Sequence, residues 1–418
     1  MKFRASLWVW LVLSALLPGL NATHAVAGFS RPEVEKQFQR WIRTKLWAQA
    51  KRRGLSRPVF TRAMKPVSLN WKLPDLRPPG SPARAPHKYD QSEFSSPERY
   101  FNERNIKALV AMSRKRLTRW RAELKQIERR YGVPAPILVA IWGRESAFGK
   151  ARLPHNAFRI LATQAFMGRR KGYFLGELLA ALEIVQKGHI RISDMKSSWA
   201  GALGQPQFLP SKFLQFAVDF DGDGKRDIWK SVPDTLASIA NFLHKNGWQR
   251  GRDWGFEADI PPGVSCALEG PDKGMSVAQW VARGVKRVKG RRFPPAEKKR
   301  KAFLLMPAGR FGPAFIATQN FYTLKTYNES DLYALFIGHL ADRMRRNAPF
   351  IRKWAKFTGF SRRDVQKMQK RLEARGYDVG GADGLVGFKT RTALGMWQGK
   401  AGKTPTCFPD SRLIKSIR

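Results

Sequence analysis

Apolar residues at Val34, Phe38, Trp41, Ile42, Leu46 and Ala48 recur at helical spacing, which predicts an amphipathic helix from about Pro32 to Arg53, stopped by Gly54. Four prolines between Arg77 and Pro86 mark a loop or linker. From Pro97 to Arg130 the pattern is helical again, and strongly basic. A central helical region is expected from Tyr131 to about Ala348. It is interrupted over residues 260–301, where Pro261-Pro262-Gly263 and a dense basic run from Arg283 to Lys301 predict an irregular, solvated excursion. After Phe357-Thr358-Gly359 the pattern changes. Val365, Met368 and Leu372 form a short stripe ended by Gly376, a Gly-rich stretch follows (379–384), and a second short helix is predicted over 389–398. About 60 residues with two or three small helices read as a separate module.

The first 27 residues read differently. Lys2 and Arg4 precede an apolar run from Leu7 to Leu17, and small residues follow in Ala25-Val26-Ala27. A basic start, a short apolar run and an A-x-A pattern predict a secretory signal peptide over residues 1–27. Elsewhere no segment reaches about 18 consecutive apolar residues, so the mature chain is expected to be soluble.

Charge narrows the partner. The 418 residues hold 77 Lys+Arg against 32 Asp+Glu, a formal +45, or +43 without Lys2 and Arg4. Such a field usually implies nucleic acid, but the leader and the lack of any nucleic-acid motif argue against that. An anionic polymer or surface outside the cytoplasm fits better, and a periplasmic location is expected. With 43% hydrophobic residues and 14 Trp, wholesale disorder is excluded. Cys266 and Cys407 lie 141 positions apart. One long-range disulfide and two separate thiols are both compatible with the sequence.

In VPAPILVAIWGRESAFG (133–149), Pro136 suits a first helical turn, and Ile137, Ile141 and Glu145 then share one face. That sets a carboxylate at the end of an apolar stripe. Desolvation favours the protonated form of a carboxyl, which is what a general acid needs. An Arg-paired glutamate at a helix end, with Arg144 adjacent, is the plainer alternative. Two-carboxylate glycosidases need a second acid. Between Tyr131 and Pro210 the others are Glu177, Glu183 and Asp194, and the first two read as the solvated edge of a helix. No partner for Glu145 emerges.

Asp219, Asp221, Asp223, Gly224 and Asp227 match the spacing of a calcium loop, with a backbone carbonyl expected from Lys225. Its twelfth position is Lys230 instead of glutamate, so Asp234 is the nearest replacement ligand. Clustered aspartates repel unless a cation joins them, and a structural calcium ion is expected; no organic cofactor is.

YGVPAPILVAIWGRESAFGK around Glu145, AGALGQPQFLPSKF (200–213) leading into the acidic loop, PAGRFGPAF (307–315) and NFYTLKTYNESDLYA (320–334) together resemble the lytic murein transglycosylase B family over about residues 30–348. The last 60 residues are similar to a small helical peptidoglycan-binding domain. The resemblance implies a mainly α fold. It comprises a lysozyme-like helical catalytic domain (28–349) with an EF-hand-like calcium loop (219–234), followed by a three-helix peptidoglycan-binding domain (358–418). It also implies cleavage of the β-1,4 bond between N-acetylmuramic acid and N-acetylglucosamine without water, Glu145 acting as acid and then as base. Ser198, Gln207, Tyr327 and Asn328 would line the cleft, and Arg169 and Arg170 would contact peptide carboxylates. Peptidoglycan strands are the expected partner, with no nucleic acid, and a monomer is expected. A hydrolytic muramidase would need the missing second carboxylate. A purely wall-binding protein would suit the C-terminal module, with 13 basic and 5 acidic residues from Thr358 on, but leaves the Glu145 helix without purpose.

Overall fold

The structure, a computed structural model, describes residues 30–80, 97–356 and 359–417. The predicted leader lies outside these residues, as does the Pro-rich loop beyond Gly80. The chain opens with α1 (Arg31–Trp41), which passes through a π-helical segment, Ile42–Leu46, into α2 (Trp47–Arg52). Val34, Phe38, Ile42, Leu46 and Ala50 are buried, whereas the predicted Ala48 is exposed. A stripe repeating every fourth residue drifts about 40° per step around an α-helix of 3.6 residues per turn. The wider π turn takes up part of that drift, and the buried face arrives at Ala50.

Next come α3 (Arg57–Met64), α4 (Pro97–Tyr100), α5 (Glu103–Arg119) and α6 (Arg121–Tyr131). The Asn102 side chain caps α5 by accepting from Asn105 N, and Gly132 ends α6 in the left-handed region. The centre is built from α7 (Ala135–Ser146), the two-residue strand β1 (His155–Asn156), α8 (Ala157–Met167) and α9 (Lys171–Gln186). It continues with β2 (Lys196–Ser197), which pairs β1, then α10 (Pro210–Phe216) and α11 (Val232–Lys245).

Residues 255–317 correct the expected irregular excursion. They form an antiparallel sheet of β3 (Gly255–Asp259), β4 (Met275–Ser276), β5 (Lys286–Arg287), β6 (Lys301–Leu305) and β7 (Ala314–Ala317), in the order β4-β6-β7-β3-β5, with α12 (Val277–Ala282) between β4 and β5. Side chains alternate across a strand, and here each face has its own core. Leu305, Phe315 and Ala317 join the helical core, while Ala302, Leu304, Met306, Ala314 and Ile316 pack with Trp280 and Cys266 on the other side. The basic run stays solvated along the β5 edge. Its one acid, Glu297, is buried and clasps Arg252 at 2.8 Å.

The chain returns to helix in α13 (Gln319–Tyr327) and α14 (Asp331–Arg346). Helix α7 is buried from Ile137 to Gly143, packed among α5, α6, α11 and α14. The C-terminal domain is α15 (Arg362–Glu373), α16 (Phe388–Lys400) and α17 (Ser411–Ser416) around Val365, Met368, Leu372 and Leu394. Cys266 and Cys407 are disulfide-bonded, which resolves the alternatives and ties that domain to the sheet.

Candidate active site

Glu145 stands one residue before the end of α7, half-buried at the close of the predicted apolar stripe. Ala147, Phe148 and Gly149 follow, all at positive φ, so the chain turns sharply away and leaves the carboxylate at the helix end. Its Oε1 accepts the Tyr333 hydroxyl at 2.5 Å. Burial, and then the nearby Glu145 charge, push the phenols of Tyr333 and Tyr327 well above their usual range, so both stay protonated and donate. The two rings lie nearly parallel, with centroids 6.4 Å apart. The neighbouring Arg144 donates to the Tyr100 hydroxyl at 3.0 Å and covers the rings of Tyr100 and Phe336.

A second wall comes from the loop between β2 and α10. Leu203 and Phe208 exchange backbone hydrogen bonds, so Gly204 to Gln207 form the tip of a tight hairpin. Gln207 has φ +54 and donates its side-chain amide to Gly204 O. A non-glycine residue in that region is held there by its surroundings at a cost of about 1–3 kcal/mol. Three ties hold this tip. Gln205 accepts Trp142 Nε1 at 2.7 Å from α7, Gln205 donates to Trp229 O, and Pro206 O accepts the Tyr327 hydroxyl at 2.6 Å. Ser198 spends its hydroxyl oxygen on Ala200 N and Ala202 N, organising the loop that precedes the tip. Asn328, at the end of α13, accepts Ser330 N with Oδ1 and shapes the turn into α14.

Glu177 departs from the sequence expectation. It is 4% exposed, and its two oxygens accept Ser211 N and Ser211 Oγ at 2.8 and 2.7 Å, so it caps the start of α10 instead of facing solvent. The period of α9 could not reveal which neighbour would arrive at that edge. Glu183, by contrast, pairs with Lys187 at the partly solvated rim. Lys212 on α10 lies over the Phe242 ring at 4.9 Å. Burial lowers its pKa, against the attraction of Glu145, Glu177 and Glu329. Arg169 and Arg170 are exposed at the start of α9, where Arg170 covers Tyr173 and Phe174.

In the acidic loop, Asp219, Asp221 and Asp223 bring one carboxylate oxygen each within 4.8 Å of one another. Backbone N–H groups of Gly222 and Gly224 bind Asp219, and that of Lys225 binds Asp223. Asp234 is fully buried. Its oxygens accept Phe220 N, Asp221 N and Asp227 N, and burial raises its pKa to about 6. The loop is coupled to the cleft, because Ile228 O accepts Gln205 N at 2.8 Å.

Tyr333, Gln205 and Lys212 escaped the sequence reading. Tyr333 sits in the apolar run Leu332–Ile337, where it reads as core, and Gln205 differs in nothing local from Gln207.

One glutamate at a helix end, a tyrosine hydroxyl on it and a clamped hairpin tied to the same helices, in a mainly helical domain, make a fold of the lysozyme-like type. The chain belongs to the Transglycosylase SLT domain family, whose pattern matches residues 37–342, and residues 361–417 match a peptidoglycan binding domain. It is 32% identical over 212 residues to the membrane-bound lytic murein transglycosylase B of Escherichia coli, a match spanning 50% of this chain and 56% of that protein. Among solved structures it is similar to SltB3 from Pseudomonas aeruginosa, in complex with NAG-anhNAM-pentapeptide and with NAG-NAM-pentapeptide. Identity is 35%, 91% of this chain and 99% of that one are covered, and the TM-scores are 0.79 and 0.80. The Escherichia coli lytic transglycosylase Slt35 in complex with calcium is 27% identical over 61% of this chain and 79% of its own, with a TM-score of 0.50.

Proposed function

We propose that this protein is a peptidoglycan lytic transglycosylase. It cleaves the β-1,4 bond between N-acetylmuramic acid and N-acetylglucosamine and leaves 1,6-anhydro-muramic ends. Glu145, protonated, gives its proton to the glycosidic oxygen. The resulting carboxylate then takes the proton of the muramic C6 hydroxyl as that oxygen closes on C1, so the residue returns to its starting state and no water is consumed. Tyr333 holds Glu145 in place in both steps. Ser198, Gln207, Tyr327 and Asn328 surround the sugar, and Arg169 and Arg170 meet peptide carboxylates at the rim.

The observation that carries this reading is the pairing of Glu145 with a tyrosine hydroxyl while Glu177, a candidate second acid, is committed at both oxygens to α10. A water-using enzyme needs a second carboxylate across the cleft. SltB3 with NAG-anhNAM-pentapeptide bound supports the same product class.

The trio Asp219, Asp221 and Asp223, with the Lys225 carbonyl, suits a hard cation with oxygen ligands. It would fix the loop behind Gln205; Asp234 supports it from inside, and Slt35 in complex with calcium supports the ion's identity. Residues 28–349 form the catalytic unit and 358–418 the wall-binding unit of an exported, periplasmic protein. Among the described residues no helix is long and apolar enough to cross a membrane.

The test is mass spectrometry of peptidoglycan digested by the protein and by Glu145→Gln. Anhydro-muropeptides, one water lighter than reducing ends and absent with the variant, are expected. Reducing ends would make it a hydrolase.

A further inference from the structure

Arg391 belongs to α16 of the C-terminal domain, yet most of its bonds leave that domain. Its guanidinium is 2% exposed. Nε and Nη2 form a bidentate pair with Glu269 at 2.8 and 2.7 Å, and Nη2 also donates to Asp331 Oδ2 at 2.7 Å. Asp331 is the first residue of α14, and its other oxygen accepts Lys325 Nζ at 2.6 Å. Burial alone would raise the Asp331 carboxyl, but Arg391 and Lys325 outweigh it and hold the group ionised. Buried charges persist only when paired, and this cluster balances two cations against two anions.

The position of Asp331 gives the cluster its reach. Lys325 lies two residues before Tyr327, and Tyr333 lies two residues beyond Asp331. One guanidinium from the wall-binding domain therefore anchors the turn that carries both active-site tyrosines. The docking around it is tight. A Cβ at Gly309 would lie 2.1 Å from Thr406 O, one at Gly395 would lie 3.3 Å from the Ala267 Cβ across the same seam, and the Cys266–Cys407 disulfide closes it.

We propose that Arg391 is a positioning residue for the reaction. Through Asp331 it sets the start of α14, and so the Tyr333 hydroxyl on Glu145, which makes the C-terminal domain a working part of the catalytic centre as well as a wall anchor. The proposal rests on the transglycosylase reading.

The test uses the full-length oxidised protein on a soluble tetrasaccharide of alternating N-acetylglucosamine and N-acetylmuramic acid, with kcat and KM measured across pH. Arg391→Met is expected to lower kcat about tenfold, because small misplacements of catalytic groups are costly. KM should stay within about twofold and the pH profile should shift. Arg391→Lys should recover part of the loss. Arg391→Met combined with Tyr333→Phe should be little slower than Tyr333→Phe alone, since both act through one hydrogen bond. If Arg391→Met does not fold by circular dichroism, Asp331→Asn, which keeps the Glu269 pair, is expected to lower kcat in the same way. Unchanged kcat on the tetrasaccharide in the folded variant, with loss only on intact sacculi, would reduce Arg391 to a tether and overturn the proposal. Wild-type protein yielding reducing ends would instead reject the underlying reaction.

Discussion

Tyr333 reaches across 188 positions of sequence to place its hydroxyl on Oε1 of Glu145. The donor sits on α14 and the acceptor at the end of α7, and the two helices pack directly against each other. A buried, neutral phenol in this place holds the carboxyl in one rotamer and supports it when ionised. Removing only the oxygen keeps the ring packing. Tyr333→Phe is therefore expected to lower kcat about 10- to 100-fold with little change in KM, as read from the rate of anhydro-product release.

Gly149 supplies a sterner test of the cleft. It has φ +78, and a Cβ there would lie 2.4 Å from Gln205 Oε1, which is already pinned by Trp142. Gly149→Ala has to strain the backbone and push Gln205 off its partners. A loss of about 2 kcal/mol in urea unfolding, with a lower kcat, is expected. A variant as stable and as active as the parent would mean that the hairpin tip gives way freely.

Cation binding in the acidic loop should be visible as stability. If calcium joins Asp219, Asp221 and Asp223, saturating ion raises the melting temperature and chelation lowers it by several degrees. Asp221→Asn should abolish that difference. Activity should fall on chelation too, because the loop holds Gln205 through Ile228 O. Equal melting curves with and without calcium would dismiss the ion.

Acid sensitivity has an identifiable contributor in His339. The ring is buried on Phe350, at 3.7 Å between centroids, and burial followed by the Arg343 charge lowers its pKa to about 3. The unfolded chain therefore binds this proton more readily than the folded one. Above about pH 6.5 the group costs nothing, and stability is lost as pH falls from there toward 3. At pH 5 that is roughly 2 kcal/mol. His339→Phe should flatten this limb of the curve of melting temperature against pH, leaving the loss from other groups.

The legible parts of the chain were those in which one segment carries its own signal. The stripe ending at Glu145 and that of Val365, Met368 and Leu372 both repeat at helical spacing, and both are buried as read. The sheet was hidden because its strands have two to five residues. Runs such as Ala302 to Met306 and Ala314 to Ala317 are too short for periodicity to separate strand from helix. Glu177 was misplaced, and Tyr333 passed over, for a related reason. Each is defined by a partner distant in sequence, Ser211 for one and Glu145 for the other, and α9 or α14 alone says nothing of either.

The sheet also bears on how this chain can change length over evolutionary time. Residues 289–292 are an exposed turn and can absorb insertions without moving the strands beside them, short of the buried Glu297–Arg252 pair. A single residue gained or lost within Ala314–Ala317 would reverse the facing of everything after it, sending Phe315 toward Trp280 and Ile316 toward the helices. Relatives that keep both cores are therefore expected to vary freely along the basic edge and to hold the spacing of the central strand fixed.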